Sequence, residues 1–137
     1  SMEKPACAER KIRLLTIASR EWSSMSSLAG LAALPGFELI GDAVDCNDGL
    51  RQALMTRPDV IVLPWSAPAL KLRSAIAYLR DENRDEFGSP LMVAVAEAGA
   101  PPDRFTPHDG IVVVGMERFN GGLAEGGFFK FFQRVAS

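Results

Sequence analysis

The amino-acid sequence predicts an α/β fold in which helices cover both faces of a doubly wound, five-stranded parallel sheet. Short runs rich in Val, Ile and Leu alternate with stretches of helical periodicity along the chain. The apolar runs are continuous, which is typical of strands buried on both faces of a sheet. Each strand-and-helix unit takes roughly 20 to 30 residues, which favours right-handed crossovers and the strand order 2-1-3-4-5.

Five apolar runs are the predicted strands of one domain. Residues 1–10 are polar and lack periodicity, so we expect a flexible N-terminal arm in which Ser1 is an addition before the native Met2. Residues 11–137 are expected to form a single domain, because 137 residues leave little room for a second. The predicted strands are residues 11–19, 37–45, 59–64, 90–97 and 110–116.

Four stretches with helical periodicity complete a flavodoxin-like pattern. The predicted helices are residues 20–36, 47–57, 69–82 and 123–136, and Asn47 is expected to cap the second. Three prolines between residues 98 and 109 predict that the fourth helix of such a fold is shortened or absent. The residues expected to face the sheet from the second and third predicted helices are Leu50, Ala53, Leu54, Leu70, Ile76 and Leu79.

Composition excludes several classes of partner. Fifteen basic and 17 acidic residues give a net charge of -2, which offers no electrostatic surface for nucleic acid or anionic lipid. Cys7, Cys46 and His108 have no ligand-like spacing, so we expect no metal site and no cofactor. No apolar run reaches the ~20 residues of a membrane span. These observations predict a cytoplasmic protein that binds neither membranes nor nucleic acid.

The block GFELIGDAVDCNDGLRQALMTRPDVIVLPWSAP, residues 36–68, resembles the receiver domains of two-component response regulators. It is similar to their second strand, second helix and third strand, and the resemblance extends over roughly residues 11 to 116. The resemblance implies a CheY-like version of the predicted fold. The residues that stand in register with the receiver pattern are Gly41, Ala43, Leu50, Pro58, Asp59 and Pro68.

The resemblance also implies a phosphorylation site, and this sequence departs from it at every functional position. Receivers use two acids to hold Mg²⁺, an aspartate to accept the phosphoryl group, and a hydroxyl and a lysine to grip its oxygens. Asp59 begins the third strand, about 16 Å from that site, and cannot substitute. We therefore expect a degenerate pseudo-receiver, or atypical receiver domain, without enzymatic activity or Mg²⁺-dependent phosphorylation. The corresponding positions, in the same order, are Ala18 and Ser19, Pro64, Val95, and Val113 or Val114.

The last predicted helix contains the sequence FFKFF. Phe128, Phe129, Phe131 and Phe132 spread over about 160° of its circumference, more than the ~100° that a sheet covers. We predict that Phe129 or Phe131 stays exposed and that this aromatic edge, with Lys130 in its polar rim, forms a dimer or partner interface. The alternative is that the helix lies deeper where the preceding helix is shortened.

A second candidate site lies beyond the third predicted strand. Trp65, with Ser19 and Glu97, is placed at the sheet edge where doubly wound domains bind ligands. Trp65 either plugs the vacated phosphorylation site or stacks on the ring of a ligand.

Three functions follow from these observations. The leading hypothesis is a phosphorylation-independent pseudo-receiver that acts in bacterial signalling or localisation through protein–protein contact, as a homodimer or with another protein. The first alternative is a sensor that binds a small molecule or nucleotide in the vacated pocket. The second alternative is the N-terminal receiver-like domain of a pilus-assembly ATPase of the Tad/CpaE kind.

Overall fold

The structure, a computed structural model, describes residues 11–18, 36–82, 90–96 and 111–115. The predicted N-terminal arm, the predicted helix at 123–136 and the proline-rich stretch at 98–109 lie outside these residues, as does the predicted helix at 20–36 except for Gly36. The described elements are β1 (Ile12–Ile17), β2 (Phe37–Ala43), α1 (Cys46–Thr56), β3 (Val60–Pro64), α2 (Ala67–Glu82), β4 (Leu91–Ala96) and β5 (Ile111–Gly115).

The five strands form one parallel sheet in the order β2-β1-β3-β4-β5. This order confirms the predicted fold class. The observed strands are shorter than the predicted ones by one or two residues at one or both ends.

Burial of β3 and β4 explains why continuous apolar runs predicted the strands correctly. All six residues of β4 are buried, and in β3 the four residues before Pro64 are fully buried. Both faces of these strands are therefore covered, and neither face requires polar side chains. The buried face that α1 and α2 cover includes Leu15 and Ile17 of β1 and Ile61 and Leu63 of β3.

Asp45, and not Asn47, is the N-cap of α1. Asp45 has an extended backbone with φ -154°, and its carboxylate accepts a hydrogen bond of 2.9 Å from the Asp48 N–H. The Asp48 carboxylate in turn accepts from the N–H of Val44 at 3.1 Å. The prediction of Asn47 was wrong because the helix begins at Cys46, so that Asn47 lies inside its first turn.

The other end of α1 is closed by Arg57 in the left-handed region, with φ 50°. Its N–H donates to the carbonyl of Ala53 at 2.9 Å, and its own carbonyl accepts from the Arg13 guanidinium at 2.9 Å. Pro58 follows directly and cannot continue the helix. The turn from α1 into β3 is therefore set by backbone geometry.

Small residues, together with Leu72 and Ile76, form the buried sides of the two helices. Gly49 and Ala53 are buried in α1, and Ala69 and Leu72 are buried in α2. The expectations for Ala53 and Ile76 are confirmed, and Leu50 and Leu79 pack partly against the core. Within the described residues, no helix has both the length and the apolar character needed to cross a membrane.

Leu54 and Leu70 were wrongly predicted to face the sheet, since they are 47% and 38% exposed. Each follows a buried alanine, Ala53 or Ala69, directly along its helix. One residue turns a helix by about 100°, so the leucine that follows the buried alanine leaves the sheet-facing side.

Candidate functional site

The carboxyl ends of the strands meet at one edge of the sheet, which is the usual ligand edge of this fold. The strand order reverses between β1 and β3, where Thr16 is paired with Val62. Ala18 and Pro64 each follow that pair by two residues. Pro64 is paired with Val95. The predicted positions on β1, β3 and β4 therefore converge on this edge.

The register shows which of the two valines proposed for β5 lies level with Val95. Val95 is paired with Val114, whereas Val113 is paired with Ala94 one residue earlier. Val114 is buried and Val113 is half-buried, packed against the core. Level with Pro64, the sheet thus presents two buried valines, which carry neither a proton donor nor a charge.

Pro64 is accommodated in a central strand by the hydrogen-bonding pattern around it. The next residue, Trp65, donates its N–H to the Val95 carbonyl at 2.9 Å, so the backbone nitrogen of Pro64 points to the other side, towards β1. The described pairing of β1 with β3 ends at Thr16 and Val62. Pro64 has no N–H to donate, and because the described pairing of β1 with β3 ends before Pro64, no hydrogen bond of the ladder is lost.

Ala18 explains why the ladder ends there. Its N–H donates to the Ala43 carbonyl in β2 at 2.8 Å, and its φ is 59°. A left-handed alanine costs roughly 1–2 kcal/mol relative to the right-handed conformation. The chain thus turns away from β3 at Ala18.

Trp65 and Ser66 occupy the turn from β3 into α2. Trp65 is 37% exposed. The Ser66 hydroxyl accepts from the N–H of Ala69 at 3.4 Å, and the Ser66 carbonyl accepts from the N–H of Leu70 at 3.3 Å. Ser66 therefore stabilises the first turn of α2 through both hydrogen bonds.

Several predicted site residues lie outside the described residues. Ser19 and Glu97 are among them, so Trp65 is the member of that predicted pocket which the structure places. The predicted interface residues Phe128, Phe129, Lys130, Phe131 and Phe132 also lie outside the described residues.

Asp59 lies at the opposite edge of the sheet, before the first residue of β3. Its carboxylate accepts from the N–H of Arg13 at 2.9 Å, and its own N–H donates to the Arg13 carbonyl at 2.9 Å. This pairing joins the amino ends of β1 and β3. Asp59 is therefore a structural link between strands, remote from Pro64.

Sequence reasoning did not anticipate a groove of about 510 Å³ between the amino-terminal halves of α1 and α2. Burial, followed by the nearby Asp45 carboxylate, raises the pKa of the Cys46 thiol in this groove. The spacing between two helices is a tertiary property, and no local sequence motif predicts it. The lining residues are Asp45, Cys46, Asn47, Leu50, Pro68, Lys71, Leu72 and Ala75.

Acidic and sulfur ligands do not assemble into a metal site in the part of the chain that the structure describes. No group of three or more His, Cys, Asp or Glu side chains with suitable spacing occurs among these residues. Asp48 accepts hydrogen bonds from the N–H of Val44 and from the side chains of Arg51 and Gln52.

Comparison with known proteins supports the fold. No family model and no curated protein matches the sequence. Among solved structures, the response regulator domain of Thermotoga maritima CheB superposes with a TM-score of 0.62 at 18% sequence identity. The match covers 93% of this chain and 97% of that domain. The chain therefore has the CheY-like, flavodoxin-like fold of a receiver domain.

Proposed function

We propose that this chain is a receiver-like signalling domain that works in the cytoplasm without phosphorylation, through contact with other protein surfaces. The single observation that carries the proposal is Pro64 at the carboxyl end of β3. A phosphoacceptor must be a carboxylate able to attack phosphorus, and a proline ring offers no nucleophile.

The neighbourhood of Pro64 supports the same conclusion. Ala18, Val95 and Val114 reach the same edge with hydrocarbon side chains. Phosphoryl transfer depends on cations and fixed donors around the transferred group. Asp59, the acid of this strand connection, is bound to Arg13 at the other edge. A phosphoryl group would thus meet neither an acceptor nor a counter-charge from these positions.

Incubation with acetyl phosphate and Mg²⁺, followed by intact-mass measurement, tests the proposal. We expect the mass of this chain to remain unchanged, while a receiver domain with an intact aspartate gains one phosphoryl group in parallel. Covalent phosphorylation of this chain under those conditions would contradict the proposal.

For the contacting surface, the proposal takes the aromatic sequence FFKFF at residues 128–132 as a dimer or partner interface. Exposed aromatic side chains are common at the energetic centre of such interfaces. Size-exclusion chromatography with light scattering on the wild type and on Phe129→Glu tests this. Leu70→Glu is the matched control, because Leu70 is an exposed apolar residue on α2.

We expect Phe129→Glu to lower the oligomeric mass or abolish partner binding and Leu70→Glu to leave both unchanged. A strictly monomeric wild type whose partner binding tolerates both charged replacements would contradict this part of the proposal.

The exposure of Trp65 favours one second candidate, a sensor for a ring-containing small molecule. Trp65 lies at the strand-order reversal and keeps 37% of its surface exposed, so its ring has an accessible area for stacking. A ligand at a hundred times its Kd would add ~2.7 kcal/mol of stability. A thermal-shift screen of nucleotides against the wild type and Trp65→Ala tests it, and a stabilisation that both variants share would contradict it.

A further inference from the structure

Two exposed side chains extend the groove between α1 and α2. Leu54 follows Leu50 by one turn of α1, and Tyr78 follows Ala75 by one turn of α2. Leu54 is 47% exposed and Tyr78 is 65% exposed. An apolar floor with large exposed apolar residues along its rim is typical of a surface that contacts another protein.

The two helices run in the same direction, because each connects one parallel strand to the next. Asp45 and Lys71 line the groove near the start of the helices. Leu54 and Tyr78 come nine and seven residues later, about two turns further along. Along each helix, a charged group near the start is therefore followed about two turns later by an apolar group.

Asp45 and Lys71 carry opposite charges, line the same groove and are both exposed. The Asp45 carboxylate also accepts a hydrogen bond from the Asp48 N–H, which leaves its second oxygen for another donor. A surface that offers one acid and one base in the same groove is complementary to a copy of itself.

If a two-fold axis lies in the interface and runs along the groove, both charged groups and both apolar groups make contacts across it. Such an axis places α1 of one copy over α2 of the other and keeps the levels along the helices unchanged. Asp45 then faces Lys71 of the second copy, and Leu54 faces Tyr78 of the second copy. Each contact occurs twice.

We propose that a second copy of this chain covers the groove between α1 and α2, with reciprocal Asp45–Lys71 and Leu54–Tyr78 contacts about a two-fold axis parallel to the groove. This surface uses none of the residues 128–132 proposed above as an interface, and the inference does not depend on them.

The size of the face predicts a weak dimer. The 16 residues of α2 span about 24 Å, and two adjacent helices are about 20 Å wide, so each copy would contribute about 500 Å². The total of about 1,000 Å² is below the range of stable complexes, which begins near 1,200 Å². We therefore expect a dimer that dissociates on dilution.

Analytical ultracentrifugation between about 1 µM and 1 mM tests the proposal. We expect the mass to rise from the 14.8 kDa of one chain towards twice that value. Tyr78→Glu and Lys71→Glu should each weaken the dimer at least about tenfold. Leu70→Glu, on the side of α2 away from the groove, should not change it. Circular dichroism and thermal melts confirm that each variant is folded.

Alkylation of Cys46 gives a second measurement that reports on the groove itself. In a Cys7→Ser background, the rate of modification by iodoacetamide should fall as the protein concentration rises, because the second copy covers the thiol. In Tyr78→Glu the rate should be independent of concentration. Alkylation is measured at alkaline pH, because the raised pKa of Cys46 keeps the thiol protonated near neutrality.

Four results would overturn the proposal. One is a chain that remains monomeric up to 1 mM in the ultracentrifuge. Another is a dimer whose stability is unaffected by both groove substitutions. The third is a dimer in which Cys46 reacts at an undiminished rate. A dimer lost in Phe129→Glu but kept in Tyr78→Glu would overturn this inference and support the aromatic interface proposed above.

Discussion

Gly49 of α1 rests directly on Ile17 of β1. A Cβ placed on residue 49 would lie 2.9 Å from Ile17 Cγ1 and closer still to Ile17 Cδ1, and both distances are shorter than real Cβ contacts. Ile17 is fully buried and cannot move aside without disturbing the core. The absent side chain of Gly49 therefore sets how closely α1 approaches the sheet.

Gly49→Ala is expected to destabilise the protein by about 1 kcal/mol. Alanine favours a helix over glycine by about 1 kcal/mol, but overpacking a buried contact costs about 1–3 kcal/mol. Urea unfolding of Gly49→Ala measures the net effect. In an Ile17→Val background, which removes Cδ1, the same substitution should be less costly. Equal penalties in both backgrounds would show that Ile17 does not limit the approach.

Arg57→Gly is expected to stabilise the protein by about 0.5–1 kcal/mol. Arg57 ends α1 with φ 50°, a conformation that glycine adopts without steric cost. Its hydrogen bonds to Ala53 and Arg13 use backbone atoms, so they survive the substitution. Arg57→Ala is the control, because it removes the same side chain and keeps the steric cost. If both variants unfold at the same urea concentration, the left-handed conformation is not strained.

The lowered pKa of Asp48 predicts that the protein becomes less stable in acid. Hydrogen bonding from Arg51 is the largest cause that lowers the pKa of Asp48, followed by the N–H of Val44, whereas partial desolvation opposes both. Since the folded pKa lies below the unfolded value, the contribution is complete above the unfolded pKa. It is lost as the pH falls through the folded pKa.

The measurement is the unfolding free energy from pH 6 to pH 2, a range that brackets the usual titration of aspartate near 3.9. Asp48→Asn should show a shallower decline than the wild type. Arg51→Gln, which removes the principal cause, should show an intermediate decline. The difference should shrink in high salt, because the Arg51 side chain of this pair is 72% exposed. Identical pH profiles for the three proteins would exclude this role of Asp48.

Pro64→Asp is expected to leave the chain unphosphorylated by acetyl phosphate and Mg²⁺. The new carboxylate would be accompanied at this edge by Ala18 and Val95, which offer neither an acid for Mg²⁺ nor a hydroxyl for the phosphoryl group. The substitution should also lower stability, because it introduces an N–H directed towards β1 where the described ladder has ended. Intact mass and urea unfolding measure the two effects. A phosphorylated Pro64→Asp protein would mean that other residues complete the site.

The sheet was predictable because its signal is local. Continuous runs of branched residues such as 60–63 indicate buried strands, and their alternation with helical stretches predicts parallel order. The helix faces were less predictable, because hydrophobicity was taken as burial. Leu54 and Leu70 are apolar but exposed, while Gly49, which has no side chain, lies closely against Ile17.

The candidate sites show the same division between local and tertiary information. Pro64 could be placed at the end of a strand from its position in the apolar run, and the structure confirms that placement. The choice between Val113 and Val114 required the inter-strand register, which the sequence does not encode locally. The groove that contains Lys71 depends on the spacing of two helices, so it emerged from the structure alone.

The position of β1 between β2 and β3 has a consequence for synthesis of the chain. The hydrogen bond between Arg13 and Asp59 joins residues 46 positions apart. At translation rates of about 5–20 residues per second, β3 leaves the ribosome roughly 2 to 9 seconds after β1. During that interval, β2 is the one described neighbour on which β1 can pair. Leu14, fully enclosed in the finished sheet, is then a site for chaperone capture, and slower translation before residue 60 would prolong that exposure.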